Sequence, residues 1–134
     1  MLKQLSIFAE NKKGALQAIT SILLEENINI LGSVTNDSAE YGIIRMVVSD
    51  PGKAMMALTD KGYLCRLTDV IGVEVEDEVG NLNRLLAAIL DSNISVNYTY
   101  LSFNRASGKP IMVLHTDSTR DVEECLKLKG FQTC

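Results

Sequence analysis

The sequence has no tryptophan, only two prolines, one histidine and three cysteines among its 134 residues. So few prolines argue against long disordered stretches. Cys65, Cys125 and Cys134 are odd in number and widely spaced, which suits reduced thiols in a cytosolic protein better than a disulfide framework or a metal site. His115 stands alone, without a cysteine or acidic residue at metal-ligand spacing, and reads as an outer-face or interface histidine. No segment reaches the roughly 18 apolar residues that a bilayer crossing needs, and the N-terminus lacks a long apolar run, so a cytoplasmic location and no membrane partner are expected. Dense clusters of Lys and Arg are missing as well. Thirteen basic residues against seventeen acidic ones leave a net charge of -4, which offers no footprint for a phosphate backbone, and nucleic acid is not an expected partner.

Enzyme motifs are equally scarce. There is no Gly-x-Ser-x-Gly elbow, phosphate-loop lysine motif, His-Glu-x-x-His or Cys-x-x-Cys. No catalytic residue, cofactor or metal ligand is therefore assigned, and a non-enzymatic role is expected.

What is present is a core-forming composition, 46% hydrophobic and 22% charged, arranged as an internal repeat. Adding 66 to a residue number lays Gly14 on Gly80, Leu16 on Leu82, Leu24 on Leu90, Asn27 on Asn93 and Ile28 on Ile94. Conservative pairs fill the same register, among them Leu5 with Ile71, Ile7 with Val73, Ile19 with Leu85 and Leu23 with Ile89, and Met46 still falls on Met112. After two inserted residues the offset becomes 68, which matches Leu58, Gly62 and Tyr63 to Leu126, Gly130 and Phe131. Two domains follow, residues 1–68 and 70–134.

Each copy can be read from its periodicity. Alternate apolar residues in Leu5 to Ala9 and Ile71 to Val75 mark strands with one face on a core. Apolar residues at spacings of three and four, Ala15, Leu16, Ile19, Ile22 and Leu23, then Leu82, Leu85, Leu86, Ile89 and Leu90, mark amphipathic helices. Asn27 and Asn93 sit where a helix ends in a left-handed residue. Two β-rich runs follow in each copy, Ile28 to Asn36 with Ile43 to Ser49, and Ile94 to Asn104 with Pro110 to Thr116. Asp50-Pro51 and Asp117-Ser118 can each start a second helix, Gly62 and Gly130 end them, and Tyr63 to Leu67 and Phe131 to Cys134 supply short last strands. The order is βαββαβ, twice: an α+β fold of two tandem ferredoxin-like repeats, each an antiparallel sheet with helices on one face. If Ile44, Met46 and Val48 face the helices, then Ile43, Arg45 and Val47 face away with Phe8 and Leu31, as do Leu101, Ile111, Val113 and His115 in the second copy. Such apolar faces lead to the expectation of a homodimer or larger assembly.

Gly14-Ala15-Leu16 after the first strand and Asn27-Ile28-Asn29-Ile30 before the second resemble the glycine turn and the strand entry of ACT domains, which are amino-acid-sensing regulatory modules. Val79-Gly80-Asn81-Leu82 and Asn93-Ile94-Ser95-Val96 repeat both segments. The resemblance covers nearly the whole chain and implies a non-catalytic regulatory protein that binds a free amino acid. The alternative is a regulatory subunit that docks on a biosynthetic enzyme such as acetolactate synthase. Val34-Thr35-Asn36-Asp37 stands where aromatic amino-acid sensors of the family carry a Glu-Ser-Arg-Pro run, so phenylalanine is not implied.

An amino acid brings a carboxylate and an ammonium group close together. Unpaired N–H groups at Gly14, Ala15 and Leu16, or at Gly80, Asn81 and Leu82, lie at a helix N-terminus and could take the carboxylate. Val79 completes the second turn. Acceptors for the ammonium could be Asn11, Asp77 or Asn97, or carbonyls of the Leu31 to Ser33 stretch. The resemblance implies that the ligand lies between one module's turn and a neighbouring module's second strand. Lys12 and Lys13 precede Gly14, whereas Asp77 and Glu78 precede Gly80, so the first turn is expected to be the better anion receptor.

Overall fold

The computed structural model describes residues 1–10, 12–37 and 41–134. Its elements run β1 (Leu2–Glu10), α1 (Ala15–Glu25), β2 (Ile30–Asp37), β3 (Tyr41–Val48), α2 (Pro51–Asp60), β4 (Leu64–Glu74), α3 (Asn81–Asp91), β5 (Tyr98–Phe103), β6 (Pro110–His115) and α4 (Thr119–Leu128). The chain divides into two compact units, Lys3–Thr68 and Asp69–Cys134, the second also holding Met1–Leu2. The division falls inside β4, so the two strands read separately from the sequence are one uninterrupted strand. Phe131 to Cys134 forms less than the expected strand, a single bridge between Thr133 and Val73.

In the N-terminal unit the strand order is β2-β3-β1-β4, and β3 pairs antiparallel with both β2 and β1. In the C-terminal unit it is β4-β6-β5, again with antiparallel pairing through the central strand. The helices cover one face of each sheet because the apolar alternation of the strands and the helical stripes converge there. Leu5, Ile7, Ile19, Leu23, Ile44, Met46, Val48, Ala54 and Leu58 form the first core. Ile71, Val73, Leu85, Ile89, Leu114, Val122 and Leu126 form the second. The first strands and first helices of the two cores are register partners at the offset of 66, but β3 and β6 correspond at 68: Met46 lies opposite Leu5 as Leu114 lies opposite Ile71, and the half-buried Met112 takes the place of Ile44, not that of Met46.

Helix ends follow the residue types placed there. Asn27 and Asn93 adopt φ of +57° and +54°. In the first copy the Ile28 N–H reaches the Leu23 carbonyl, and in the second the Ile94 N–H reaches that of Ile89. These bonds satisfy carbonyls that a helix C-terminus would otherwise leave unpaired. Asp50 caps α2 by accepting from the Lys53 N–H at 3.2 Å, with Pro51 at the first helical position. Asp117 does not do the same for α4: Ser118 is the cap residue without a side-chain bond, and Asp117 instead accepts from the Asn97 amide at 2.9 Å.

The faces turned away from the helices differ from expectation in two ways. Val47 and Val113 are only 6% and 0% exposed within a single chain, and Ile111 and Tyr100 are buried too. In the C-terminal unit part of this cover comes from the chain ends, because Leu2 and Cys134 both lie over Gly72. Leu101, in addition, is on the helix side: it pairs with Met112, while Tyr100 pairs with Val113 and takes the place expected of Leu101. Strand parity decides this, since a one-residue change of register exchanges the faces.

Candidate functional site

The Lys12–Ala15 segment joins β1 to α1 through a tight turn. Gly14 adopts φ +83° and ψ -3°, the conformation required at the third position of a type II turn, which glycine reaches without strain. The turn closes when the Ala15 N–H donates to the Lys12 carbonyl at 3.2 Å. The second repeat copies it, with Gly80 at φ +91° and ψ -7° and the Asn81 N–H donating to the Glu78 carbonyl. The amides of Ala15 and Asn81 are therefore spent on the turns themselves and are not open donors. Among the described residues, none accepts from the N–H of Gly14 or Leu16, nor from that of Gly80 or Leu82. Asn11 lies outside the described residues.

Around the first turn opens a cleft of about 400 Å³, lined by Phe8, Glu10, Lys12, Lys13, Ala18 and Tyr63 together with Ala9, Gly14, Ala15 and Gly62. Its rim is basic and its wall apolar. Lys12 is held by Glu10 at 3.2 Å, which leaves Lys13 as the lysine of this turn with no ion pair among the described residues. Tyr63 reaches the cleft because Gly62, at φ +92°, turns the chain sharply out of α2, and the Tyr63 N–H returns to the Leu58 carbonyl. The sequence did not single out Ala18, Gly62 or Tyr63 as site residues. The signal was available in the repeat, where Tyr63 aligns with Phe131.

That alignment exposes a difference between the copies. Ala18 corresponds to Arg84, and the Arg84 guanidinium lies 5.3 Å from the centre of the Phe131 ring. A cleft of about 370 Å³ exists there too, but it runs along α3 past Ala88, Asp91 and Lys129 and includes no residue from Asp77 to Gly80. The acidic residues at that turn are partly engaged. Glu74 accepts from Asn104 at 2.7 Å and Glu76 pairs with Lys109 at 3.0 Å, which raises the Lys109 pKa and ties down the β5–β6 hairpin tip. Asn81 holds the Glu76 carbonyl through its side-chain amide.

The remaining expected ligand residues are not gathered at either turn within one unit. Ser33 is level with Met46 and Leu5, five residues along the sheet from Glu10 and so about 17 Å away, and Leu31 lies farther still. Asn97 sits beside His115, about the same distance along β6 from Pro110, which adjoins the second turn through Val75. There the Asn97 amide lies 3.1 Å from His115 Nδ1, and the imidazole stacks on Tyr98 at 4.8 Å. A ligand that touched a turn and Leu31 or Ser33 together would need two modules.

Burial pushes the thiols of Cys65 and Cys134 above their ordinary range, so neither is a thiolate at neutral pH. Among the described residues no three His, Cys, Asp or Glu side chains gather as a metal site requires, and no helix is long and apolar enough to cross a membrane.

The comparisons with known proteins agree with this architecture. The family model described as an ACT domain pair matches residues 1–133. A solved protein from Bacteroides thetaiotaomicron is 34% identical, with a TM-score of 0.90 over 99% of this chain and 91% of that one. The regulatory subunits of aspartate kinase from Thermus thermophilus and Thermus flavus share the fold at 12% and 14% identity, with TM-scores of 0.66 and 0.62. They match over 94% of this chain and 91% and 90% of theirs. No curated protein sequence matches. With paired βαββ units in register, a glycine turn opening the first helix of each and a family match along nearly the whole length, the chain belongs to the ACT domain pair family of regulatory domains.

Proposed function

We propose that this protein is a non-catalytic regulator that binds a free amino acid at the strand-to-helix turn of its first repeat. The observation that carries the reading is the cleft at Lys12 to Gly14. Open backbone donors and Lys13 can take a carboxylate there, Glu10 lies within the same lining for an ammonium group, and Phe8, Ala18 and Tyr63 offer an apolar wall to a side chain. A thermal-shift screen against the common amino acids should find at least one that raises the melting temperature, because a ligand of the native state stabilises it by mass action. For that amino acid, Lys13→Glu reverses a charge worth about 0.3–1 kcal/mol at such a site and should weaken binding several-fold by calorimetry. No stabilising amino acid at millimolar concentration would sink the reading.

Assembly belongs to the same proposal, on a different surface from the one the sequence suggested. Leu82, Leu86 and Leu90 stand exposed along α3, and Leu101 and Phe103 are each 50% exposed on the edge strand β5. An apolar helix stripe and an unpaired strand edge in one unit favour a second copy of the chain. Sedimentation at tens of micromolar should show a dimer or larger species that Leu86→Glu weakens. If the pure protein is a monomer, these leucines instead favour the second reading, a subunit that docks on a biosynthetic enzyme, for which co-purification with a larger catalytic chain is the test.

A further inference from the structure

The two repeats have the same turn and differ in what stands beside it. In the first, Ala18 leaves the ring of Tyr63 facing the cleft. In the second, the residue at the equivalent position is Arg84, whose guanidinium covers the equivalent ring, Phe131. A planar cation over an aromatic face is itself a favourable pairing, so the arrangement is held and not merely permitted. The cleft beside Arg84 and Phe131 is lined by Ala88, Asp91 and Lys129 and by no residue from Asp77 to Gly80, whereas the first repeat's cleft includes its turn.

We infer that Arg84 is a built-in occlusion: it occupies the place beside the second turn that a ligand takes beside the first, so that each chain binds one amino acid and not two. This rests on the reading of the first cleft given above. It goes further in assigning the stoichiometry to one side chain and in making the second site recoverable. The charge of the Asp77-Glu78 turn only lowers the affinity of the second turn, whereas Arg84 fills the space, and removing the side chain opens it. Arg84 and Ala18 are both exposed, so exchanging them disturbs neither core.

The test uses the full chain, labelled with nitrogen-15 and titrated with an equimolar mixture of the twenty common amino acids and then with each singly. In the wild type the Gly14 amide resonance should shift while that of Gly80 stays still, and calorimetry with the active amino acid should give one site per chain. Arg84→Ala should add a shift at Gly80 and raise the stoichiometry towards two. Ala18→Arg, which copies the occlusion into the first repeat, should abolish the shift at Gly14. A Gly80 shift in the wild type, or a silent Gly80 in Arg84→Ala with Gly14 still responding, overturns the occlusion and leaves the first site standing. No shift at Gly14 in the wild type overturns the amino-acid reading itself and the inference with it.

Discussion

Leu85→Ala is expected to cost about 2–5 kcal/mol and to unfold the C-terminal unit before the N-terminal one. Leu85 is fully buried on α3 among Ile71, Val73, Ile89, Leu114, Val122 and Leu126. Its removal forfeits the transfer energy of the side chain and leaves a cavity that two sheet-packed helices can close only in part. Domains of this size hold about 5–15 kcal/mol in total, so such a loss is a large share of the whole. Chemical denaturation followed by amide resonances of each unit measures it. Loss of protection at Ile71 and Leu114 amides should precede loss at Leu5 and Met46. Equal and simultaneous loss in both units would show that they unfold as one cooperative body.

Gly72→Val should be the second most damaging change, and for a different reason. Gly72 has no positive φ, so the backbone itself would accept any residue. Space is what forbids it: a Cβ there would lie 2.7 Å from Leu2 Cδ1, 2.8 Å from Cys134 Sγ and 3.0 Å from Ile111 Cγ2. Forcing a branched side chain into that gap costs about 1–3 kcal/mol unless neighbours yield. Leu2 and Cys134 can yield, being flexible side chains at the chain ends, whereas Ile111 is fixed in β6 by its pairing with Glu74. The expected result is a destabilised unit in which Cys134 swings outward. Its thiol, held above the ordinary range chiefly by burial and secondarily by Glu74, should then alkylate faster with iodoacetamide. Adding Leu2→Ala and Cys134→Ala should restore part of the lost stability, a coupling that only residues in contact produce. Full loss with no restoration would place the obstruction at Ile111.

Much of the fold was legible because the signals are local. Alternation in Leu5 to Ala9, the three-and-four spacing of Ile19 and Leu23, and Asn27 and Asn93 at the helix ends each depend on neighbours within a few residues. The repeat then doubled each signal. The candidate site was legible only as far as the turns. Gly14 and Gly80 could be read from sequence because a left-handed turn position restricts residue type. That Ala15 and Asn81 would spend their amides closing those turns could not, since hydrogen-bond partners depend on the folded path.

Periodicity, residue type and the repeat register were enough to define the tandem repeats, the Asp50 cap with the Asn27 and Asn93 helix ends, most of the two cores and the charge difference between the two turns, though not a side-chain cap for α4. Only the tertiary structure decided that Val47 and Val113 are covered, that Leu101 and Tyr100 exchange faces, and that Leu31, Ser33 and Asn97 lie far from the turns of their own units. It alone also decided that Arg84 reaches Phe131 where Ala18 leaves Tyr63 open. The reason is physical: periodicity fixes which residues share a face, but a cleft is set by what distant segments place over that face, and a side chain's reach is realised only once its partner ring has been folded beside it.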